Sequence, residues 1–312
     1  METSGGTAMI KSLWLCGVVM LGCPGWAQTE EFRVGALYWS MNIPGQVAMR
    51  SGLEHERAAI NREAASTGAA TVVLESRVAG DGEAGIENQI QQMRELIAAG
   101  VDLLIVQPTD NAALAAPLRQ ANAAGIPVIA YDQYISGGQL AAYRTSDNYQ
   151  AGYLDGEYIA SRFANDQEIQ LVMVEYPHVS STVERVNGFL DALKQAGQMY
   201  RILQTYQAVE PVSGRKAGAD ILRDFPAKGS IDVVFTVNDG GGLAVVEALA
   251  AAGRSEIQVA TIDGDPQSVE NIRAGRLTVI DSAQYCGPLG AEAMRAGYAV
   301  LQNQNPPFHA LV

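Results

Sequence analysis

Four polar clusters stand at the ends of predicted buried strands: Asp132, Asn238-Asp239, Asp263 and Gln284. Val128 to Tyr131 is a short apolar run with turn residues on both sides and reads as a buried parallel strand. Asp132 then falls just past its carboxyl end, the edge at which open α/β sheets bind ligands. A polar residue in such a place can instead cap the following helix, and Asp239, followed by Gly240 to Leu243, suits that reading well. Four acceptor-rich tips in two halves of the chain favour a shared role. If both sheets aim their carboxyl edges into one cleft, these side chains converge on a solute carrying hydroxyl groups or a cationic head. Tyr38, Trp39, Tyr131, Tyr134, Tyr176, Tyr206 and Tyr285 lie near the same tips, and aromatic faces stack on sugar rings or hold cations. Core packing is the ordinary role for any one of them. Tyr38-Trp39, at the end of the first strand, is the pair best placed for contact with a solute.

Other chemistries lack an anchor. Gly80-Asp81-Gly82-Glu83-Ala84-Gly85 spells a dinucleotide fingerprint, but Asp81 and Glu83 would repel a pyrophosphate and the glycines sit several residues beyond the strand. No G-x-S-x-G, Walker loop or H-E-x-x-H occurs. His55, His178 and His309 are scattered without ligand spacing, so neither a metal nor a cofactor is expected. The formal net charge of −13 supplies no basic face for nucleic acid and disfavours an anionic membrane surface.

The amino terminus reads differently from the rest. Lys11 precedes an apolar run from Leu13 to Leu21, then small residues ending Gly25-Trp26-Ala27. That is the layout of a secretory signal peptide over residues 1–27, too short to span a bilayer, with cleavage after Ala27 and Met9 as an alternative start. The rival reading is a lipoprotein modified at Cys23. Removal of Cys16 and Cys23 leaves Cys286 alone, a small buried hydrophobe with no disulfide partner.

From Phe32 onward strands and helices alternate, among them a helix from about Ala112 to Ala123 and a last helix from about Leu289 to Leu301, which means α/β architecture: doubly wound parallel sheets covered by helices on both faces. At 312 residues two domains are expected. No low-complexity linker divides them, so several crossings should join them. A fresh strand follows the Gly137-Gly138 turn, and Ser146-Asp147 then offers an N-cap for a new helix, placing a seam there.

On these residues the chain resembles the periplasmic sugar-binding proteins of ABC importers, ribose-binding type, from about Phe32 to Pro307. Matching stretches include Asn42-Ile-Pro44, Pro108-Thr109-Asp110, Gly125-Ile-Pro-Val, Ser146-Asp147-Asn148 with Gly152, and Glu184-Arg185 followed by Gly188-Phe189. Phe235 with Asn238-Asp239, Ile262-Asp263-Gly264 and Ala283-Gln284 complete the set. The resemblance implies two Rossmann-like lobes joined by a three-stranded hinge and closing around one small solute. The N-terminal lobe would comprise 32–145 plus 285–312 and the C-terminal lobe 146–284. It also implies that Asp132, Asn238, Asp263 and Gln284 hydrogen-bond the ligand, with Gln133 in place of an arginine of ribose binders. Val183 stands for a second ligand-contacting arginine, and Gly45-Gln46 for two stacking phenylalanines. These departures make the pocket more acidic and leave stacking to Tyr38, Trp39 or Tyr134. Relatives continue with another strand near Val312, so the third crossing is expected to be incomplete.

The resulting expectation is a periplasmic, monomeric, non-catalytic binder of a small sugar or polyol, with a small cationic or amine solute second. It would hand its ligand to an inner-membrane ABC permease or show it to a sensor ectodomain of a histidine kinase or chemoreceptor. A hydrolase using Asp132 and Asp263 as an acid–base pair is the enzymatic rival.

Overall fold

The computed structural model describes Met1 and residues 30–312. The signal-peptide features, Cys16, Cys23 and the Ala27 cleavage point lie outside the described residues.

In the first half, β1 (Glu31–Tyr38), α1 (Pro44–Thr67), β2 (Thr71–Val78), α2 (Gly82–Ala98), β3 (Leu103–Val106), α3 (Ala115–Ala123), β4 (Val128–Tyr131) and β5 (Ala142–Thr145) alternate. The second half runs α4 (Asn148–Ala160), β6 (Ile169–Glu175), α5 (Ser180–Gln195), β7 (Tyr200–Gln207), α6 (Pro211–Asp224), β8 (Val233–Thr236) and α7 (Asp239–Ala251). It closes with β9 (Gln258–Asp263), α8 (Pro266–Arg273), β10 (Thr278–Ala283), α9 (Cys286–Leu301) and β11 (His309–Leu311). The strands form two all-parallel sheets, ordered β11-β5-β4-β3-β1-β2 and β10-β9-β8-β6-β7. β3, β4 and β8 are buried along their whole length, as continuous apolar strands covered on both faces must be.

Strand alternation divides each lobe's core into two layers. Val34, Ala36 and Tyr38 point to the face covered by α1 and α9, while Leu37 points to the face of α2 and α3. The second sheet is sandwiched likewise, with Phe189 and Phe235 stacked 4.2 Å apart in one layer and Val245 and Leu249 in the other. β5 of the first sheet leads into α4, which packs on β9 and β10 of the second, and β10 leads into α9, which packs back on β3, β4 and β5 of the first.

Helix ends differ from the sequence expectation by a turn in places. α3 starts at Ala115 rather than near Ala112, because Asp110 Oδ1 accepts the Ala112 and Ala113 N–H groups at 2.7 Å and holds a separate turn first. α9 starts three residues before the expected Leu289, at the second lobe crossing. Asp147 caps α4 as its position predicts, accepting the Gln150 N–H at 2.9 Å.

Two glycine-lined helix crossings set the site. A Cβ on Gly152 of α4 would stand 1.9 Å from the Arg185 carbonyl oxygen of α5, and one on Gly188 2.0 Å from that of Tyr149. The bare backbones let α4 and α5 touch, which fixes where Arg185 emerges. The α1–α9 crossing works the same way: a Cβ on Gly290 would meet the Met49 oxygen at 1.8 Å.

Candidate functional site

The carboxyl edges of the two sheets face each other across the lobe boundary. Trp39, Asp132 and Gln133 from the first lobe and Thr182, Arg185, Asn238 and Asp263 from the second line one cavity of about 30 Å³. A larger chamber of about 340 Å³ adjoins it and shares Ile43, Gly45, Asp263 and Cys286 as walls; Gln284 lines this chamber.

Asp132 follows β4 in a left-handed conformation (φ 65). Its Oδ2 accepts from Gln107 Nε2 at 3.0 Å, and Gln107 Oε1 accepts the Trp39 N–H at 3.2 Å. Gln107 therefore ties two cleft residues to the end of β3. Burial raises the Asp132 carboxyl above its usual range, opposed by the Gln107 bond and by the Arg185 charge.

Arg185 is 4 % exposed. Its Nε donates to Asn148 Oδ1 at 3.0 Å, and its Nη1 donates to the Val237 carbonyl at 2.8 Å and to Asp263 Oδ1 at 3.0 Å. Asp263 ends β9, also at positive φ (141). Burial pushes its carboxyl up and Arg185 pulls it down, while Asp239 and Asp132 push it further up; the net direction is upward. The cleft is thus an arrangement of two carboxyls from separate lobes around a single buried guanidinium.

The predicted residues fare differently. Trp39, Asp132, Gln133, Asn238 and Asp263 come together, and Gln284 joins at the chamber, where its N–H also donates to the Asp263 carbonyl at 2.9 Å. Asn238 is the N-cap of α7: its Oδ1 accepts from the Gly241 N–H at 3.2 Å and its Nδ2 donates to the Val209 carbonyl at 2.9 Å. Tyr38 does not reach the cleft. As the last residue of β1 it points into the layer under α1 and α9, fully buried, with the Arg50 guanidinium 4.9 Å from its ring centre. Trp39, one residue beyond the strand, escapes that alternation. Tyr134 packs edge-on against Tyr143 at 5.4 Å and leaves the cavity walls to others.

Two sequence expectations are corrected. Val183 is 40 % exposed and lies outside the cavity wall, whereas Arg185, two residues on, turns inward, so the cleft keeps a buried cation. Helix phase was the available signal: Ser181, Thr182 and Arg185 share a face at spacings of three and four. Asp239 does not cap α7, since Asn238 does. Its carboxyl reaches instead to the Asp265 N–H at 2.8 Å. Gln107 was missed, having only its place after β3 to mark it. Cys286 is buried as expected, but it also lines the cleft, with Gly45 facing it.

The lobes are in direct contact around this site. Gln133 Oε1 accepts the Ser181 N–H at 3.2 Å, Ser180 Oγ accepts the Tyr134 N–H at 2.9 Å, and the His178 carbonyl accepts the Asn111 N–H at 2.9 Å. Trp39 packs on Tyr176 with ring centres 5.9 Å apart, beside Val179 and Val209.

Fold and site together define a two-lobed α/β clamshell whose lobes meet over a polar cleft. The chain belongs to the family described as periplasmic binding protein domain, whose model matches residues 44–305. It is 26% identical over 301 residues to the ribose import binding protein RbsB of Bacillus subtilis, covering 94% of this chain and 92% of that protein. Among solved structures it is similar to an ABC transporter periplasmic solute binding protein from Actinobacillus succinogenes with bound D-allose, at a TM-score of 0.72 and 23% identity. That match covers 90% of this chain and 95% of the other. The fructose binding periplasmic domain of a hybrid two component system matches with a TM-score of 0.75 at 24% identity, covering 90% and 89%.

Proposed function

We propose that this is an exported solute-binding protein that captures a small sugar or polyol between its lobes and delivers it to an ABC importer. The observation that carries the reading is that Asp132 and Asp263, from different lobes, line one cavity together with Arg185 and Asn238. Carboxylates accept from hydroxyl groups and the guanidinium donates to ring or hydroxyl oxygens, so the set matches a molecule rich in both. Exclusion of water on closure makes each of these bonds count for more. Support also comes from the ribose import protein and the D-allose complex among the similar proteins.

In this reading residues 1–27 direct export to the periplasm, 32–145 plus 285–312 form one lobe, and 146–284 form the other. The protein acts as a monomer and performs no catalysis. A sensor ectodomain is the alternative recipient, a reading favoured by the likeness to a periplasmic domain of a two component system.

Trp39 is the sole tryptophan after residue 27 and sits in the inter-lobe contact, so its emission reports on the cleft. Titration of the mature protein with sugars, polyols and amines, followed by Trp39 fluorescence and thermal shift, is expected to give a saturable change with at least one sugar or polyol. Silence across the panel would remove the reading, and turnover of a glycoside abolished by Asp263→Asn would replace it with the enzymatic one.

A further inference from the structure

We propose that Asp239 and Asp281 are positioning residues: together they grip the turn after β9 by its backbone and so hold Asp263 with its carboxyl in the cleft. This rests on Asp263 being a ligand contact. Asp263 and Gly264 both have positive φ, 141 and 79, and the first of these is a conformation that side chains other than glycine rarely adopt. Such a turn persists only where its surroundings over-determine it. Here the Gly264 N–H donates to Asp281 Oδ1 at 2.9 Å and the Asp265 N–H donates to Asp239 Oδ2 at 2.8 Å. Two successive amides next to the strained residue are therefore held by two carboxyl groups from different elements, β10 and α7.

Asp239 is itself anchored. It is 1 % exposed, and its Oδ1 accepts from Thr261 Oγ at 2.9 Å and from Ser268 Oγ at 2.5 Å. Asp281 is held less completely, since its Oδ2 is buried without a hydrogen-bond partner, as is Oδ2 of Asp155, whose Oδ1 accepts from Ser282 at 2.6 Å. The charged groups acting on this pair are Asp155 from α4 and Asp263 and Asp265 from the turn itself, and Asp239 also lines a chamber with Arg215 of α6, Glu247 of α7 and Arg276. Arg185, which acts on Asp155 and Asp263, donates to Asp263. Carboxylates crowded in this way hold protons that isolated ones would release: burial raises Asp155, Asp239 and Asp281, and repulsion adds to it, from Asp281 at Asp155 and Asp239 and from Asp263 and Asp265 at Asp281. A carboxyl oxygen accepts an amide N–H whether or not its partner oxygen is protonated. The grip therefore holds while the cluster keeps its protons, and like-charge repulsion loosens it when alkali removes them.

Asn at 281 keeps the acceptor and removes the charge; Ala removes both. With a sugar that the wild type binds, Asp281→Asn should stay within about 2-fold of wild-type affinity at pH 6.5 and show a flatter fall in affinity toward pH 9. Asp281→Ala should lose about 10-fold or more at every pH, measured on protein with wild-type circular dichroism. A packing role alone would lower the melting temperature of both variants and leave the affinity of the folded fraction unchanged, which would overturn the proposal. Hydrogen exchange at the Gly264 and Asp265 amides of solute-free protein decides the matter without any ligand. Gly264 should exchange at least about 10-fold faster in Asp281→Ala than in wild type, with Ala260 of β9 unchanged. Equal Gly264 rates would sink the clamp, whereas a wild type that binds no solute would sink only the functional reading.

Discussion

Asp263 and Arg185 form the buried ion pair of the cleft, and removing either end has a different expected cost. Breaking a buried pair by removing one partner is expensive because the remaining charge has lost its compensation. Arg185→Met should therefore lower unfolding free energy by about 3 kcal/mol at pH 8, the low end for such breaks. The loss should be smaller at pH 5, where Asp263 takes up a proton and needs no cation. Urea unfolding at both pH values measures this, and equal losses would show that the pair is not what Arg185 supplies. Asp132→Asn removes a charge while leaving an acceptor for Gln107, so its effect should fall on solute binding. A hydrogen bond to a charged group contributes about 1.5–3 kcal/mol, which predicts affinity roughly 10-fold to 100-fold weaker by calorimetric titration. At this scale the sequence named Asp132 and Asp263 but placed Tyr38 wrongly and passed over Arg185. Strand alternation buries position 38 and releases position 39, and only the observed end of β1 separates the two.

At the scale of elements, the helix crossings carry the site. α5 can present Arg185 to Asn148 because Gly152 and Gly188 leave room for backbone contact. Gly152→Ala puts a methyl group where the Arg185 carbonyl oxygen stands and forces the helices apart. Overpacking of this kind costs about 1–3 kcal/mol, so the melting temperature should fall by several degrees, on the order of 5 °C. Solute affinity should fall with it, because the displaced segment includes Arg185. A variant with lowered stability and unchanged affinity would mean that Arg185 finds its place independently of the crossing. The alternation of strands and helices was legible throughout, since apolar runs of four residues between turn signals leave little ambiguity. Local hydrogen bonding, as at Asp110 before α3, moved the boundaries.

At the scale of the molecule, buried acids make stability depend on pH. Burial and neighbouring carboxyls push the interacting acids Asp281, Asp263 and Asp239 up together, into a range from about 6 to about 8. In the unfolded chain an aspartate titrates near ~3.9. The folded state therefore binds more protons than the unfolded state between these limits. By linkage the contribution is fully present below about pH 4 and is lost as pH rises through 6 to 8. Chemical denaturation should show lower stability at pH 8.5 than at pH 5.5, with the difference reduced in Asp281→Asn. Closure belongs to the same scale. Trp39 against Tyr176, and Ser180 bonded to the Tyr134 amide, link the lobes directly. Ser180→Ala should weaken solute binding by about 2-fold to 12-fold, the value of one neutral hydrogen bond, while leaving each lobe's stability unaltered.

By itself the sequence determined the doubly wound architecture, the approximate strand tips and the acceptor character of the cleft. These follow from hydrophobic periodicity and turn chemistry, which act over a few neighbouring residues. Tertiary structure alone decided that Arg185 rather than position 183 faces the cleft, that Asp239 holds a turn instead of capping its helix, and that Asp281 joins it there. The first depends on which face α5 turns inward, since spacing shows which residues share a face but not where that face points, and the other two depend on contacts between segments far apart in the chain, which no local pattern encodes.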